Sequence, residues 1–270
     1  MREDKKAFEF DEALSAQLDL LFRTEALQKA RKKYFDIFAV RPGELVLDIG
    51  TGTAANAMAL VQHLGGNCRV SGVDTSQPML AIGNKNLETF HFPGRISLQV
   101  TDGHDLPFAD NYFDSCMIIQ VLEYSKEPVR MLQEAKRVLR PGGKLLVVDT
   151  DWDSLVWNSK DRDLTRRIVL EWSDHEADGW QGRKIQEYLR RSGFQNFRHE
   201  VYVITESSFK ETGYSYMMTR IVSDYLIRSE KMDAATVENW ISGLREQDRS
   251  GFFYFSLNRF IFLAIKEKLS

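Results

Sequence analysis

The apolar positions of the chain change their spacing at Glu44, which marks the start of an alternating region. From there to Asp151, short and nearly continuous apolar runs alternate with segments whose apolar residues recur at helical spacing. The apolar runs are ELVLDI, CRVSGVD, ISLQVTD, FDSCMIIQVL and KLLVVDTD, and the helical segments are AANAMALVQHL, QPMLAIGNKNLETF and EPVRMLQEAKRVL. Strands that are apolar throughout are buried on both faces, so the pattern predicts an α/β fold with a parallel sheet covered by helices.

The segments on either side of this region have a different pattern. Residues 8 to 39 carry apolar positions at helical spacing and end at Arg41-Pro42-Gly43. The segment after Asp151 is rich in tryptophan and acids, and helical patterns follow it. We therefore predict four parts: an N-terminal helical cap (1–43), a ligand-binding core (44–150), a helical insertion (151–250) with a sixth strand near 194–205, and a last strand (251–270) that completes the sheet.

Composition and charge disfavour several classes of protein. Hydrophobic residues make up 43% of the 270 residues, which is enough for a large core, and a net charge of −3 argues against a nucleic-acid partner. Cys68 and Cys116 each lie in an apolar run, so we expect buried free thiols and a cytoplasmic protein. The chain has no run of about 18 apolar residues and no Cys/His cluster, so neither a membrane span nor a metal site is predicted.

The stretch LDIGTGTA, which begins at Leu47, raises the question of which ligand its glycines approach. Two glycines are spaced as in a dinucleotide-binding turn, but Ala54 stands where the third is expected. Asp48 precedes the glycines; its charge would repel a pyrophosphate and suits a ligand with an amino group. Asp74 and Asp102 follow the next two strands, where carboxylates can accept hydrogen bonds from ribose hydroxyls and from an adenine amine. Amino acid, ribose and adenine together describe S-adenosylmethionine (SAM).

Four motifs in this order resemble those of the class I SAM-dependent methyltransferases, especially the small-molecule, UbiE/COQ5-like branch. They are VLDIGTGTA, VSGVDTSQPML, VTDGHDLPFADNYFD and LRPGGKLLVVD, within residues 44 to 150. The resemblance implies a Rossmann-like, seven-stranded, mostly parallel sheet with an antiparallel last strand and a helical lid. It also implies SAM as the methyl donor and S-adenosylhomocysteine as the product. The cofactor-binding residues are then Asp48, Gly50, Thr51, Gly52, Asp74, Thr75, Met79, Asp102, Gly103, His104 and Gln120.

Ala54 is the one departure from the family's first motif. Glycine permits a positive φ and a close approach of the ligand, which alanine restricts. We expect position 54 to lie already in the following helix, which would make the replacement mild.

The acceptor side of the site is less specific in the sequence. Asp151, Asp153 and His175 follow the fifth strand and are candidates for a general base, although carboxylates in this acid-rich segment also suit a solvated surface. A group of large side chains either walls a pocket for an aromatic or amine-bearing acceptor or forms a satellite core. Its members are Trp152, Trp157, Trp172, Trp180, Tyr214 and Met218.

These observations predict an enzyme that moves the methyl group of SAM by in-line displacement to an O, N or C atom of a small-molecule acceptor. An NAD-dependent oxidoreductase is the first alternative, which Asp48 and the missing third glycine disfavour. A non-catalytic SAM-binding protein is the second, and its motifs would look the same. The sequence is compatible with a monomer or a homodimer.

Overall fold

Eight strands and nine α-helices occur in the residues that the computed structural model describes, which are 10–175 and 179–268. The strands are β1 (Leu45–Ile49), β2 (Arg69–Asp74), β3 (Ile96–Val100), β4 (Phe113–Ile119), β5 (Leu139–Thr150), β6 (Val156–Trp157), β7 (Asn196–Glu206) and β8 (Phe255–Ile265). The helices are α1 (Glu12–Phe22), α2 (Glu25–Phe38), α3 (Ala55–His63), α4 (Gln77–Glu88), α5 (Pro128–Val138), α6 (Arg162–Ser173), α7 (Gln181–Arg191), α8 (Tyr214–Arg228) and α9 (Ala234–Arg249).

The strands form one mixed sheet. Its first part has the order β3-β2-β1-β4-β5, and all neighbours in it are parallel. β8 runs antiparallel to β5, and β7 pairs with β8 along its whole length. This confirms the predicted fold class, a mostly parallel sheet with an antiparallel last strand.

The sheet has eight strands rather than the seven expected. β5 leaves β8 at the pair Thr150↔Arg259, and the short β6 then pairs Val156 with Ser256 a few residues further along. β8 is 11 residues long, so both β5 and β6 fit beside it. The extra strand had no sequence signal because two residues are too few to show a period.

The N-terminal segment forms two helices, α1 and α2. α1 ends at Phe22, and Thr24 takes an extended conformation as the N-cap residue of α2. α1 packs against α4 and α8, and Asn86 of α4 donates a 3.0 Å hydrogen bond to Asp19 of α1. These contacts hold the N-terminal helices against the body of the fold.

The carboxyl ends of β1, β2 and β4 lie side by side. The register places Asp48 of β1 between Gly72 of β2 and Met117 of β4. The turns after these strands therefore meet at one edge of the sheet, where open parallel sheets bind their ligands. Beyond β2, Ser76 caps α4 by accepting a hydrogen bond from the Met79 amide, which fixes how the chain leaves this edge.

The structure also shows the state of the cysteines, and it bears on whether the described chain contains membrane-spanning helices or metal-binding groups. Both cysteines, Cys68 and Cys116, are buried free thiols. In the part of the chain that the structure describes, no helix combines the length and hydropathy needed to cross a membrane, and no group of three or more His, Cys, Asp or Glu is placed to hold a metal ion.

Candidate active site

A cavity lies at the carboxyl ends of the parallel strands. One wall comes from the loops after β1, β2, β3 and β4, and the opposite wall comes from α1, α2, α8 and β8. Ten of the eleven residues predicted to bind SAM line the cavity: Gly50, Thr51, Gly52, Asp74, Thr75, Met79, Asp102, Gly103, His104 and Gln120. The structure thus brings together side chains and turns that lie up to 70 residues apart in the sequence.

The turn after β1 is closely packed and depends on its two glycines. Gly50 has φ +70° and Gly52 has φ +54°, a region that favours glycine. A Cβ at position 50 would collide with the side chain of Val121, which follows β4. A Cβ at position 52 would lie 3.0 Å from Met79. The turn therefore presents bare backbone to the cavity, as a ligand that approaches closely requires.

Asp74 ties this turn to the end of β2. One carboxylate oxygen accepts a 2.8 Å hydrogen bond from the Gly52 amide, and the other accepts a 2.8 Å bond from the Ser76 amide. Burial raises the pKa of Asp74, although the two amides oppose this effect. Each oxygen retains a lone pair, so the carboxylate can also accept hydrogen bonds from a pair of hydroxyls in the cavity.

Asp48 lies behind the turn and does not line the cavity. It is 1% exposed, and its Oδ2 accepts a 2.7 Å hydrogen bond from the Thr51 hydroxyl, while Oδ1 has no hydrogen-bond partner among the described residues. Burial raises the pKa of Asp48 to about 7, against the lowering effect of Thr51. Asp48 therefore supports the turn by its hydrogen bond to Thr51. Thr51 lines the cavity and Asp48 does not, so Asp48 makes no direct contact there.

Ala54 has a different conformation from the helical one we expected. It is the N-cap residue of α3, with φ 62° and ψ 15°, and it is fully buried. This left-handed conformation is unfavourable for a residue with a Cβ. The replacement of the family's glycine therefore carries a conformational cost, and it is not mild in the way that a helical position would make it.

His104 connects the loop after β3 to the segment after β4. Oδ1 of Asp102 accepts hydrogen bonds from the backbone amide and from Nδ1 of His104, at 2.9 and 2.5 Å. The other ring nitrogen, Nε2, lies 2.8 Å from the Ser125 hydroxyl. Burial raises the pKa of Asp102, but the hydrogen bonds from His104 outweigh it and bring the pKa below its ordinary value. Asp102 is thus held as a carboxylate at the rim of the cavity.

A chain of buried polar side chains crosses the far end of the cavity. Trp152 donates from Nε1 to Oε2 of Glu123 at 2.5 Å, and Gln120 donates from Nε2 to Oε1 of Glu123 at 2.9 Å. The hydroxyl of Thr150 donates to Oε1 of Gln120 at 2.9 Å and accepts a bond from Nη1 of Arg259 at 2.5 Å. This chain joins the ends of β4 and β5 to the middle of β8.

The electrostatic environment of this region contains both signs of charge. Burial raises the pKa of Glu123, and it raises the pKa of Asp149, where the charge of Glu123 adds to the effect. Burial lowers the pKa of Arg31 to about 10, so that guanidinium remains charged at neutral pH. Burial also lowers the pKa of Arg259, but nearby tyrosines and carboxylates raise it by more. Two guanidinium cations therefore line the cavity.

Comparison with known proteins identifies the family to which the region from β1 to β5 is similar. Residues 47–147 match a family model described as a methyltransferase domain. The chain therefore carries a methyltransferase domain. The match begins within β1 and ends within β5, so it includes the loops after β1, β2, β3 and β4 that form one wall of the cavity.

Relatives are similar to the methyltransferase domain and to part of the flanking chain. An uncharacterized 37.1 kDa protein of a Streptomyces fradiae transposon is 32% identical over 178 residues, which are 66% of this chain and 51% of that protein. Demethylmenaquinone methyltransferase from Bacillus cereus is 29% identical over 156 residues, which are 57% of this chain and 65% of the enzyme. The chain thus spans about half the length of the first relative.

Solved structures share the fold over most of the chain. Haemonchus contortus phosphoethanolamine N-methyltransferase 2 in complex with SAM superposes with a TM-score of 0.64 at 19% identity, over 96% of this chain and 58% of that one. A putative methyltransferase from Bacillus halodurans superposes with a TM-score of 0.60 at 18% identity, over 89% and 100%. The helices and strands added to the methyltransferase domain therefore belong to a recurring architecture.

The candidate bases named from the sequence do not line the cavity. Asp151 is buried against Arg183, whose Nε donates to its carboxylate. Asp153 accepts hydrogen bonds from Ser173 at 2.7 Å and from Trp180 at 2.6 Å. The ring of His175 stacks on the indole of Trp172, with ring centroids 3.7 Å apart. These residues fasten α6 and α7 to the methyltransferase domain, so the geometry gives none of them access to an acceptor.

The predicted acceptor residues divide into two groups. Four of them line the cavity: Trp152, Trp172, Tyr214 and Met218. Trp157 is buried between Trp240 and Phe255, where it belongs to the hydrophobic core, and Trp180 is 47% exposed. The sequence could not separate the groups, because a tryptophan that packs under a helix has the same pattern as one that faces a ligand.

Several polar residues that line the cavity are absent from the predicted site, among them Arg31, Tyr34, Glu123 and Arg259. Arg31 and Tyr34 lie on the buried face of α2, Glu123 follows β4, and Arg259 lies within β8. The signal was present for Arg259, a charged residue in the apolar run FFYFSLNRFIFLAI, where a solvated charge would be out of place. The orientation of Glu123 depends on a 3-10 turn at Leu122–Tyr124 that no periodicity predicts.

Proposed function

We propose that this protein is an enzyme that transfers the methyl group of SAM to a small-molecule acceptor in this cavity. The observation that carries the proposal is the placement of Asp74. Its carboxylate stands at the cavity wall with both oxygens oriented by the turn and free to accept further hydrogen bonds. A ribose diol fits that pattern of two adjacent acceptors.

We expect SAM to lie along the wall formed by the strand ends, the donor side of the cavity. Gly50 and Gly52 would lie against the amino-acid part, Asp74 would hold the ribose, and Asp102 with Gly103 would face the adenine. Met79 extends from α4 over the same region and supplies an apolar surface. Bound SAM supplies an activated methyl carbon, whose bond to sulfur breaks with its electron pair left on sulfur, so that S-adenosylhomocysteine is the product.

The protein contributes alignment and the exclusion of water. Leu18, Leu21 and Phe22 of α1 line the cavity opposite the strand ends and make that wall apolar. Methyl transfer needs the nucleophile and the methyl carbon in line and close together, a proximity effect worth several kcal/mol, roughly 7–11 in favourable cases. We propose that α1 and α2 form the lid that holds this alignment.

The acceptor side favours an aromatic compound. Trp152, Trp172 and Tyr214 line the cavity and supply aromatic surface. An amine acceptor fits less well, because the guanidinium groups of Arg31 and Arg259 would repel its protonated form. Where the attacking atom is a hydroxyl oxygen, its proton has to be accepted, and Glu123 is the carboxyl group on this side of the cavity.

Replacement of Asp74 tests the donor assignment. Asp74→Ala should weaken SAM binding by roughly tenfold or more, because it removes charge-assisted hydrogen bonds to the ribose and releases the Gly52 amide. Isothermal calorimetry with SAM measures the effect, and Asp110→Ala, which removes an exposed carboxylate, is the matched control. Equal affinity in the Asp74→Ala variant and the wild type would refute the role of Asp74.

Turnover separates the enzyme from the two alternatives. Incubation with methyl-labelled SAM and a metabolite extract should yield S-adenosylhomocysteine and a labelled product, detected by mass spectrometry. SAM binding without any product would favour a non-catalytic SAM-binding protein. Binding of NADH with quenching of its fluorescence would favour the oxidoreductase.

A further inference from the structure

The acceptor side of the cavity contains a buried cation that forms no ion pair at contact distance among the described residues. Arg259 is 4% exposed, and its guanidinium donates to the hydroxyls of Thr150 and Tyr214, at 2.5 and 2.8 Å. Its Nε has no hydrogen-bond partner, and no carboxylate forms an ion pair with it, within residues 10–175 and 179–268. A buried guanidinium bound only by neutral hydroxyls is costly to maintain, unless something that enters the cavity supplies the missing charge.

A second unsatisfied donor lies on the other side of the same cavity. Tyr34 of α2 is 2% exposed, lines the cavity, and its hydroxyl has no hydrogen-bond partner in the described residues. Burial raises the pKa of Tyr34. The charge of Arg259 lowers this pKa more than any other nearby charge, but burial outweighs it. The phenol therefore stays protonated and donates, and it lies within electrostatic reach of Arg259.

The surroundings add positive charge to this corner. Arg31 of α2 also lines the cavity; it donates to the Phe22 carbonyl at 2.6 Å and to Asn56 at 2.8 Å, both neutral groups. Glu123 and Asp149 act electrostatically on Arg259, but burial raises the pKa of both carboxyl groups, and neither forms a hydrogen bond with Arg259 among the described residues. An anion in the cavity would thus meet two guanidinium groups and an unused phenolic donor.

From these contacts we infer that the acceptor carries an anionic oxygen, of the carboxylate or acidic phenol type, and that Arg259 and Tyr34 bind it. The inference rests on the proposed methyl transfer, because it names the chemistry of the molecule that shares the cavity with SAM. Arg259 supplies the charge, and Tyr34 supplies a directed hydrogen bond from the lid. An acceptor bound there would supply a hydrogen-bond partner to Nε of Arg259 and to the hydroxyl of Tyr34.

The test uses a metabolite extract separated by anion exchange at neutral pH into retained and unretained fractions. Each fraction is incubated with methyl-labelled SAM and the wild-type protein, and labelled products are detected by mass spectrometry. We expect product from the retained, anionic fraction. Product that arises only from the unretained fraction would overturn the inference and leave the proposed function intact. The lack of product from either fraction would overturn the proposed function, and the inference with it.

Two substitutions assign the residues. Tyr34→Phe removes only the unpaired hydroxyl, so the ligand-free variant should melt at the same temperature as the wild type or above it, and it should bind S-adenosylhomocysteine with unchanged affinity by calorimetry. The rate at low acceptor concentration should fall about tenfold or more, the effect of one hydrogen bond to a charged group. Arg259→Lys keeps the charge but loses the planar fork, and it should impair the same step more strongly.

Tyr202→Phe is the matched control for the loss of a phenol. The Tyr202 ring packs edge-to-face against Tyr34, with centroids 6.4 Å apart, but Tyr202 does not line the cavity. Its turnover should equal that of the wild type. If Tyr34→Phe and Arg259→Lys both methylate the retained acceptor as fast as Tyr202→Phe, the anion site is refuted even though the enzyme is active.

Discussion

The buried carboxyl group of Asp48 makes a strong prediction about how stability depends on pH. Burial raises its pKa from 3.8 to about 7. Between these values the unfolded chain has lost the proton while the folded chain keeps it, so stability falls as the pH rises through this window. Above about pH 7 both states are ionised, and the folded protein bears the full cost of a buried carboxylate. Asp48→Asn removes the titrating group and keeps an oxygen that can accept from Thr51.

The size of the effect follows from the pKa values. A displacement from 3.8 to about 7 corresponds to about 4 kcal/mol of differential stability. The free energy of unfolding of Asp48→Asn, minus that of the wild type, should therefore increase by up to about 4 kcal/mol between pH 4 and pH 8. Urea denaturation followed by tryptophan fluorescence measures it at a series of pH values. Comparison with the wild type is needed because Glu123 and Asp149 are also buried and also have raised pKa values.

The matched control is Asp36→Asn, which removes a carboxylate from the exposed face of α2. A pH-dependent gain of the same size in this control would attribute the effect to a general loss of negative charge. The reasoning about Asp48 would be refuted by a stability difference between Asp48→Asn and the wild type that is constant from pH 4 to pH 8. That result would mean that the carboxyl group is ionised in the folded protein already at low pH.

Two further substitutions test local features of the site by urea denaturation at fixed pH. Ala54→Gly should stabilise the protein by about 1 kcal/mol, because glycine adopts the left-handed conformation of this position without the strain that a Cβ causes. The control Ala57→Gly, in the helix that follows, should destabilise it by about 1 kcal/mol. A less stable Ala54→Gly variant would contradict this. Trp152→Phe removes the indole that donates a hydrogen bond to Glu123. It should lower the free energy of unfolding by roughly 1–3 kcal/mol more than Trp157→Phe, because Nε1 of Trp157 has no hydrogen-bond partner among the described residues. Equal losses would show that only indole packing matters.

Local patterns were sufficient to predict the sheet. β1, β4 and β5 contain apolar runs that are largely buried on both faces, which leaves little freedom in such a run, while β3 at the edge of the sheet is only partly buried. Asp74 could be placed for the same reason: it ends its strand, and the ends of parallel strands share one edge. The two-residue β6 was missed, because its pairing depends on where β8 continues past β5.

The conformations of single residues were the part that local patterns could not predict. Ala54 is a helix former next to a helix, yet the tight turn from Gly50 forces it into a left-handed conformation. Asp151 and Asp153 follow a strand as a catalytic carboxylate would, but Arg183 of α7 lies close enough to bind both. These ion pairs join residues 30 or more positions apart in the sequence, so no local spacing predicts them.

The two walls of the cavity come from different parts of the chain, which has a consequence for how such proteins diverge. The turn at Gly50, the carboxylate of Asp74 and the loop at Asp102 all lie within residues 47–147, while Tyr34 and Arg259 lie outside them. Mutations in the N-terminal helices and in β8 can therefore change the acceptor without disturbing the donor turn. Descendants of one ancestor can acquire new substrates while the methyltransferase domain stays recognisable. A search for proteins with the same acceptor should accordingly compare positions outside that domain.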